Sequence, residues 1–299
     1  MHADYNMARG LLGLPVHLPK PARTIDTPDH MLKMHQLMVA VAKRGGGKSV
    51  LLTSFLRHLE QHKLLDRLFL ISPTFESNKN YFEGLPLAPE DIYHEPDPGA
   101  IHDIISKMDA EQAEYAEYQE KAAVWRKWLA ALRKHRGDVD AVPAELMLEV
   151  ERLGLLDAGL PPAKYGGRRP TCALFMDDVQ CTGLFNSKVF LSLCLRHRHV
   201  SQGLGLTILI ACQNYKSIQG GLPLAIRDNC TCLLLGRTKN ERVLDSIAEE
   251  CGDLFSKDQF LDVYHRATDG DHNFLLVDFN PKSPDRTFRK NFDEYLMPK

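Results

Sequence analysis

The residues best suited to chemistry form one glycine-rich segment, Ala42-Lys43-Arg44-Gly45-Gly46-Gly47-Lys48-Ser49. An apolar run precedes it and a helical pattern follows. Glycines allow backbone N–H groups to wrap a phosphate without Cβ clashes, and the helix N-terminus adds positive charge. In this arrangement Lys48 would contact the β- and γ-phosphates and Ser49 would bind Mg²⁺. The segment matches the Walker A pattern, with Ala42 replacing its first glycine, and predicts a site for ATP and Mg²⁺. Within it, Lys43 and Arg44 either add contacts with phosphates or with a neighbour, or are solvated charges.

A pair of carboxylates follows the apolar run 173–176: these are Asp177 and Asp178. One carboxylate at a strand end can hold the water shell of Mg²⁺, and a second can polarise the attacking water. We assign Asp177 to the metal and Asp178 to the general base. A helix N-cap would explain an isolated Asp-Asp pair, but the phosphate loop in the same chain favours a Walker B function.

A third polar strand end is Gln213, which follows the apolar run 206–211. An amide at the tip of a strand beside the acidic pair can hydrogen-bond the attacking water or the γ-phosphate. The alternative is an amide that faces solvent in a loop. We predict the first, so the catalytic set includes Lys48, Asp178 and Gln213.

The elements that must position these residues alternate along the chain. Apolar runs of strand length cover 36–42, 67–72, 173–176, 206–211, 230–235 and 273–279. Helical patterns cover 49–62, 187–198, 240–251 and 257–267. Continuous apolar runs are typical of a parallel sheet that is buried on both faces. Strands that alternate with helices indicate an α/β doubly wound domain.

Two regions depart from this alternation. Residues 1–30 carry four prolines and little periodicity, which predicts an irregular N-terminal arm. Residues 31–299 are predicted to form a single domain, with a helical insert at about 100–165. Within the insert one helix stripe has the spacing 3-4-3-4-3, and it consists of Tyr115, Tyr118, Ala122, Trp125, Leu129 and Leu132. The stripe could pack on the host domain or contact another subunit.

Composition excludes several classes of protein. The 299 residues are 44% hydrophobic and 25% charged, which argues against disorder. The 37 basic and 39 acidic residues give a net charge of −2, which does not indicate a compact basic monomer that binds DNA. Local basic patches or a basic ring lumen are compatible with this net charge. The seven cysteines contain no CxxC pair, which favours buried, reduced thiols. No apolar stretch has the length of a membrane span or a signal peptide, so we expect a soluble intracellular protein.

The chain resembles the genome-packaging ATPases of poxviruses and other large DNA viruses, within the FtsK–HerA superfamily of DNA-pumping ATPases. The resemblance is carried by the segments 42–49, 67–73, 173–178, 196–214, 223–236 and 272–292. The resemblance extends over 31–295, apart from the insert. Its more specific element is an arginine-bearing segment, then the strand that ends at Gln213, then Ile226-Arg227-Asp228-Asn229. The resemblance implies a RecA-like P-loop core, a homo-oligomeric ring and ATP-driven movement of double-stranded DNA into a procapsid. It also implies a capsid or portal-vertex partner, and a location in the host cytoplasm, a viral factory or the virion.

The resemblance assigns roles to individual residues. Lys48 and Ser49 match the nucleotide loop, Asp177 and Asp178 the acidic pair, and Gln213 the sensor. The sequence departs from common usage at Ala42 and at Asp178, where many members have glutamate.

The resemblance also implies an arginine finger that reaches a neighbouring subunit's γ-phosphate. Arg198 is the first candidate, Arg196 is its rival and Arg227 is a third. Each could instead be a surface charge or a helix C-terminal partner.

The sequence also contains candidate residues for DNA contact, and it is compatible with two other functions. Basic residues that could contact phosphates are Arg168, Arg169, Arg286, Arg289 and Lys290. No base-reading motif is evident, so we expect backbone contacts that weaken with salt. The alternative functions are a P-loop kinase or phosphotransferase acting on a small molecule, with the insert as a lid, and a nucleotide-dependent assembly switch.

Overall fold

A nine-stranded, mainly parallel sheet runs through the centre of the molecule. The computed structural model describes residues 25–216, 221–238, 240–251 and 255–299, together with the backbone of a short antiparallel ladder between 8–9 and 15–16. The remainder of the predicted arm lies outside the described residues. The strands of the sheet are β1 (Leu37–Val41), β2 (Arg67–Ile71), β3 (Ile92–Tyr93), β4 (Cys172–Met176), β5 (Leu206–Cys212), β6 (Cys232–Gly236), β7 (Phe274–Asp278), β8 (Phe288–Lys290) and β9 (Glu294–Leu296).

The strand order is β9-β8-β7-β6-β1-β5-β4-β2-β3. Strands β1 to β6 pair in parallel, and β7 to β9 extend the sheet in antiparallel fashion. The six predicted strands and the mainly parallel α/β fold are confirmed. The antiparallel direction of β7 was not predicted. It arises because two helices, not one, connect β6 to β7 and return the chain to the end of the sheet at which β6 finished.

The helices occupy both faces of the sheet. They are α1 (Lys48–Gln61), α2 (Phe75–Asn78), α3 (Pro98–Lys134), α4 (Ala144–Arg152), α5 (Leu155–Ala158), α6 (Lys188–Arg196), α7 (Val200–Gly203), α8 (Leu224–Arg227), α9 (Glu241–Glu250) and α10 (Lys257–Ala267). The four predicted helices are confirmed to within two residues at each end. None of the helices in the described part of the chain is long and apolar enough to cross a membrane.

Two apolar cores enclose the sheet, because alternate residues of each strand face opposite sides. On β1, Met38 and Ala40 face the core that α1 covers, whereas Leu37, Val39 and Val41 face the opposite core. That second core also receives the start of α3 and the helices α6, α9 and α10. Burial on both faces explains why the strands are continuous apolar runs rather than alternating ones.

The predicted insert contains α3, a helix of 37 residues and therefore about 55 Å long. The side chain of Asp97 caps its first turn by accepting a hydrogen bond from the backbone N–H of Ala100 at 2.9 Å. Its first turns pack on the sheet through Ile101, Ile104 and Met108. Its last turns, with α4 and α5, form a separate small core around Trp128.

The predicted stripe on α3 is displaced by one residue. The fully buried positions of its distal half are Val124 and Trp128, whereas Trp125, Leu129 and Leu132 are only partly covered. The distal part of the stripe packs against α4 and α5, which supply Val150 and Leu155 to the same small core, whereas Tyr118 lies against Gly167. The distal insert therefore carries its own apolar partner.

A buried cluster of charges ties α3 to the sheet edge. Arg67 on β2 donates two hydrogen bonds to Asp91, at 2.8 and 2.9 Å, and one to Glu111 of α3 at 3.1 Å. Lys107 and Lys164 complete the neutralisation of these carboxylates. The side chain of Asp91 is 1% exposed, so its charge depends on these partners.

We predict that Arg67→Met destabilises the protein by about 3 kcal/mol, because it leaves the Asp91 and Glu111 carboxylates short of partners in a buried site. Urea unfolding monitored by circular dichroism measures the change. Arg152→Met is the matched control, since Arg152 pairs with Glu120 on the surface, and it should cost less than about 1 kcal/mol. Equal losses in the two variants would contradict the role given to the buried cluster.

Candidate functional site

The polar strand ends that the sequence singles out meet at one edge of the sheet. The glycine-rich loop follows β1, Gln213 follows β5, and Asp177 and Asp178 follow β4. Because β5 lies between β1 and β4 and pairs in parallel with both, the carboxyl ends of the three strands are adjacent. Gln213 therefore lies between the phosphate loop and the acidic pair along this edge of the sheet.

The glycines of the loop are required by conformation and by space. Gly45 and Gly47 have φ of +73° and +80°, a region that residues with a Cβ rarely adopt. A Cβ on Gly46 would lie 2.9 Å from the Cβ of Ala42 and from the carbonyl oxygen of Lys43. The loop consequently exposes backbone rather than side chains, which is the surface that a phosphate group needs.

Ala42, the departure from the Walker A pattern, is accommodated by a glycine on the neighbouring strand. A Cβ on Gly236 of β6 would lie 2.7 Å from the Cβ of Ala42. Gly236 thus leaves the space that Ala42 fills, and Ala42 is buried at 8% exposure. The only signal for this in the sequence is that Gly236 ends an apolar run.

Lys48 begins α1 and folds its side chain back over the loop. Its Nζ donates to the carbonyl oxygens of Ala42 at 2.9 Å and Lys43 at 3.3 Å. An ammonium has three N–H donors, so it can brace the loop and contact an anion at the same time. Burial lowers the pKa of Lys48, and the nearby Asp177 carboxylate opposes that shift.

Ser49 and Asp177 join the loop to β4. The Ser49 hydroxyl donates to Oδ2 of Asp177 at 2.8 Å. Burial raises the pKa of Asp177, the hydrogen bond from Ser49 opposes the shift, and the charge of Asp178 adds to it. A hydroxyl and a carboxylate are hard oxygen ligands, so this pair fits Mg²⁺.

Asp178 is exposed beside this pair and has an unusual backbone conformation. Its φ is +54°, and its Oδ2 accepts a hydrogen bond from the Thr74 hydroxyl at 3.0 Å. Backbone strain in a residue of this kind is typically held in place by its surroundings and is common at functional sites. Thr74, three residues after the end of β2, was not predicted, although its position shortly beyond a core strand was a signal for it.

Gln180 fixes the segment that carries Gln213. Its Oε1 accepts from the backbone N–H of Gln213 at 2.6 Å, and its Nε2 donates to the carbonyl oxygen of Asn214 at 3.0 Å. The side chain of Gln213 itself is exposed at the strand end. The loop after the acidic pair is thereby attached to the tip of β5, a contact that the sequence did not predict.

His272 is a further residue near the loop that sequence reasoning missed. Its Nδ1 lies 3.7 Å from the position that a Cβ on Gly47 would occupy. It is exposed and has φ of +61° in the turn before β7. The antiparallel β7, which was also not predicted, brings this turn to the phosphate edge of the sheet.

The predicted arginine fingers lie away from the loop of their own chain. The residue between them, His197, accepts the backbone N–H of Leu206 at 2.8 Å through its carbonyl oxygen, so Arg196 and Arg198 lie at the amino end of β5. The seven residues of β5 span about 23 Å from there to the loop edge. Both arginines are exposed, and Arg196 donates to the Ser192 hydroxyl at 2.7 Å. Neither can reach the phosphate loop of the same chain.

Arg227 is committed to internal contacts. Its side chain is 8% exposed, forms an ion pair with Glu250 and lies 5.5 Å from the centre of the Tyr215 ring. A buried, paired guanidinium is unsuited to reach a neighbouring subunit, so this geometry favours a structural function for the third candidate.

Most of the proposed DNA-contacting arginines also have partners within the chain. Arg168 pairs with Asp66, Arg286 donates to the carbonyl oxygen of Asp29, and Arg289 donates to that of His30 at 2.7 Å. Burial lowers the pKa of Arg169. These contacts argue against a preformed basic patch for DNA, both around Arg168 and Arg169 and around Arg286 and Arg289.

The seven cysteines are free thiols, and all except Cys181 are buried. Burial raises the pKa of Cys212, for example, to about 12, so this thiol is protonated and unreactive. The predicted reduced thiols are thus consistent with the structure.

We predict that Gly236→Ala destabilises the fold by about 1–3 kcal/mol, because the new Cβ would overlap that of Ala42. Adding Ala42→Gly in the same chain removes the obstructing atom and should restore most of the loss. Urea unfolding of both single variants and the double variant measures the coupling. Additive losses in the double variant would contradict the packing argument.

Neither a scan against protein-family models nor a search of curated proteins gave a match. Among solved structures, the chain is similar to the genome packaging NTPase B204 from Sulfolobus turreted icosahedral virus 2 in complex with ATP-gammaS, at 13% identity and a TM-score of 0.40, over 87% of this chain and 98% of that one. It is also similar to the conjugation coupling protein TcpA of pCW3, at 12% identity and a TM-score of 0.46, over 88% of this chain and 62% of that one. A third similarity is to the cytoplasmic domain of the type VII secretion ATPase EccC of Thermomonospora curvata, at 13% identity and a TM-score of 0.39, over 97% of this chain and 28% of that one. At these identities and TM-scores the case for function rests on the geometry of the site.

Proposed function

We propose that this chain is an ATPase that binds ATP at the loop 42–49 and hydrolyses its terminal phosphoanhydride bond. The observation that carries the proposal is the 2.8 Å hydrogen bond between Ser49 and Asp177, with the Lys48 ammonium on the same loop. These three groups are what a magnesium nucleotide requires: a cation for the phosphates, and a hydroxyl and a carboxylate for the metal.

Each residue at the strand edge has a distinct role in this proposal. Lys48 binds the β- and γ-phosphates, while Ser49 and Asp177 would hold Mg²⁺, which neutralises charge on the phosphate oxygens when bound. Asp178, oriented by Thr74, accepts the proton of the attacking water. Gln213, at the end of the intervening strand, orients that water.

The coupling of hydrolysis to DNA movement is the second part of the proposal. It rests on the resemblance to FtsK–HerA packaging ATPases. Arg198 is exposed and lies too far from the phosphate loop of its own chain to contact it, which is compatible with action on the active site of a neighbouring subunit. We therefore propose a homo-oligomeric ring that moves double-stranded DNA through backbone contacts into a capsid. A capsid or portal-vertex protein is the proposed partner, and the host cytoplasm, a viral factory or the virion the proposed location.

Steady-state ATP hydrolysis, with and without double-stranded DNA at low salt, tests both parts. We expect turnover that DNA stimulates and that Lys48→Ala abolishes. Asp178→Asn should lower kcat by about 10²–10⁴-fold with nucleotide affinity unchanged, because asparagine keeps the shape and tolerates φ above zero but cannot accept the proton.

Other outcomes of this assay identify the alternatives. Turnover that is indifferent to DNA but rises with a small-molecule acceptor would indicate a phosphotransferase. Tight nucleotide binding with negligible turnover would indicate an assembly switch. Full hydrolysis by Asp178→Asn would overturn the assignment of the base.

Mixed assemblies test the proposed arginine finger. Adding Arg198→Ala subunits to wild-type subunits should reduce ATPase activity more steeply than their fraction, because each inserted subunit also disables a wild-type neighbour. The control is Arg126→Ala, which removes an exposed arginine from α3 and should leave activity unchanged. A linear decrease with Arg198→Ala would contradict action in trans, and a steep decrease with Arg196→Ala instead would transfer the role to Arg196.

A further inference from the structure

Three histidine side chains converge at the end of α1 that is remote from the phosphate loop. His58 lies on the last turn of α1, His62 follows one turn later, and His30 comes from the segment before β1. One ring nitrogen of each lies within 4.8 Å of the others. The ring centres of His58 and His62 are 4.5 Å apart, and that of His30 is 5.7 Å from each.

The tautomer of one ring is fixed by its backbone contact. Nδ1 of His62 lies 2.9 Å from the carbonyl oxygen of His58. A carbonyl can only accept, so Nδ1 carries the proton and Nε2 of the neutral ring keeps its lone pair. Metal-binding histidines are commonly oriented by a hydrogen bond of this kind.

The third ring is positioned by contacts of its backbone with the C-terminal region. The carbonyl oxygen of His30 accepts from Arg289 at 2.7 Å, and that of Asp29 accepts from Arg286. Lys282 donates to the carbonyl oxygens of Thr27 and Pro28 at 2.7 and 2.6 Å. His30 therefore projects from a segment that is braced at four successive residues.

We propose that His30, His58 and His62 bind a divalent transition-metal ion of the zinc class, with the fourth position open to water. Two histidines at i and i+4 on a helix present their rings to one ion, and the third arrives from a separate segment. Imidazole ligands favour Zn²⁺, Co²⁺, Ni²⁺ or Cu²⁺, whereas Mg²⁺ prefers oxygen.

Closing the site needs only side-chain movement. At a Zn–N distance of about 2.0–2.1 Å, tetrahedral ligand nitrogens are about 3.3 Å apart, so the rings must approach by about 1.5 Å. The exposed side chain of His30 can rotate toward the other two rings, whereas the His62 ring keeps the hydrogen bond of its Nδ1.

The ion would link the segment that follows the N-terminal arm to the helix that begins with Lys48. His58 is ten residues from Lys48, or about 15 Å along α1, so this site is separate from the nucleotide site. The proposal does not depend on ATP hydrolysis, since it rests on residues that the proposed catalysis does not use.

Titration of the metal-stripped, full-length protein with Co²⁺ and Zn²⁺, in excess Mg²⁺ and without nucleotide, tests the site. We expect one equivalent of Co²⁺ to bind with visible d–d absorption, Zn²⁺ to displace it, and Zn²⁺ to raise Tm reversibly with EDTA. His30→Gln, His58→Gln and His62→Gln should each lower the affinity at least about tenfold and remove the Tm shift.

Matched controls separate this site from other ligands of the same metals. His102→Gln and Cys181→Ser, which alter an exposed histidine and the exposed thiol, should bind as the wild type does. Circular dichroism in EDTA verifies folding, and because His30 and His62 are exposed, their variants remain informative should His58→Gln fail to fold. Wild-type affinity in the three cluster variants, or no saturable binding at micromolar metal, would overturn the proposal and leave three packed imidazoles.

Discussion

The hydrogen bond between Ser49 and Asp177 is the constraint on which the arrangement of the site depends. These residues follow β1 and β4, which are not neighbours, because β5 lies between them. The contact at 2.8 Å therefore spans an intervening strand and fixes the distance between the phosphate loop and the acidic pair. Gln213 follows that intervening strand, so its backbone lies between the loop and the acidic pair. This one interaction thus fixes the phosphate loop and the acidic pair relative to each other, on either side of Gln213.

The turns at this edge have left-handed backbone conformations that the core holds in place. Gly45, Gly47, Asp178 and His272 all have positive φ, and each lies in a turn next to a buried strand or helix. The strand that precedes the loop is buried throughout, and so is the strand that precedes Asp178. A rigid sheet can impose unfavourable turn conformations on its carboxyl ends, because each turn would have to displace packed core residues in order to relax. This is the physical reason that the chemistry lies in the loops while the framework lies in the strands.

The sequence predicted the parts of this structure that depend on local pattern. Continuous apolar runs identified the strands of the core, and the spacing in 42–49 identified the loop, since backbone geometry and glycine content are local properties. Gln180, Thr74 and His272 were missed because their proximity to the site depends on strand order and on the direction of β7. The buried stripe of α3 was misplaced by one residue for a similar reason: the faces of a long helix are set by the elements that pack against it, here α4 and α5. The role of Gly236 could not be predicted for the same reason. This glycine leaves space for Ala42, and the two residues are neighbours only because their strands pair in the sheet.

The position of the exposed arginines determines how two subunits would have to meet in the proposed ring. The phosphate loop lies at the carboxyl edge of the sheet, and Arg196 and Arg198 lie at the amino edge, about one strand length away. An arginine at that edge can complete a nucleotide site only if two subunits meet head to tail. A head-to-tail contact uses two different surfaces, so it propagates from subunit to subunit and closes into a ring when the rotation permits. Arg227 pairs with Glu250 and packs on Tyr215, so within the ring proposal Arg196 and Arg198 are the remaining candidates for this function. In such a ring an isolated subunit would lack the arginine of its neighbour and would hydrolyse ATP inefficiently, and each active site would respond to the conformation of the adjacent subunit.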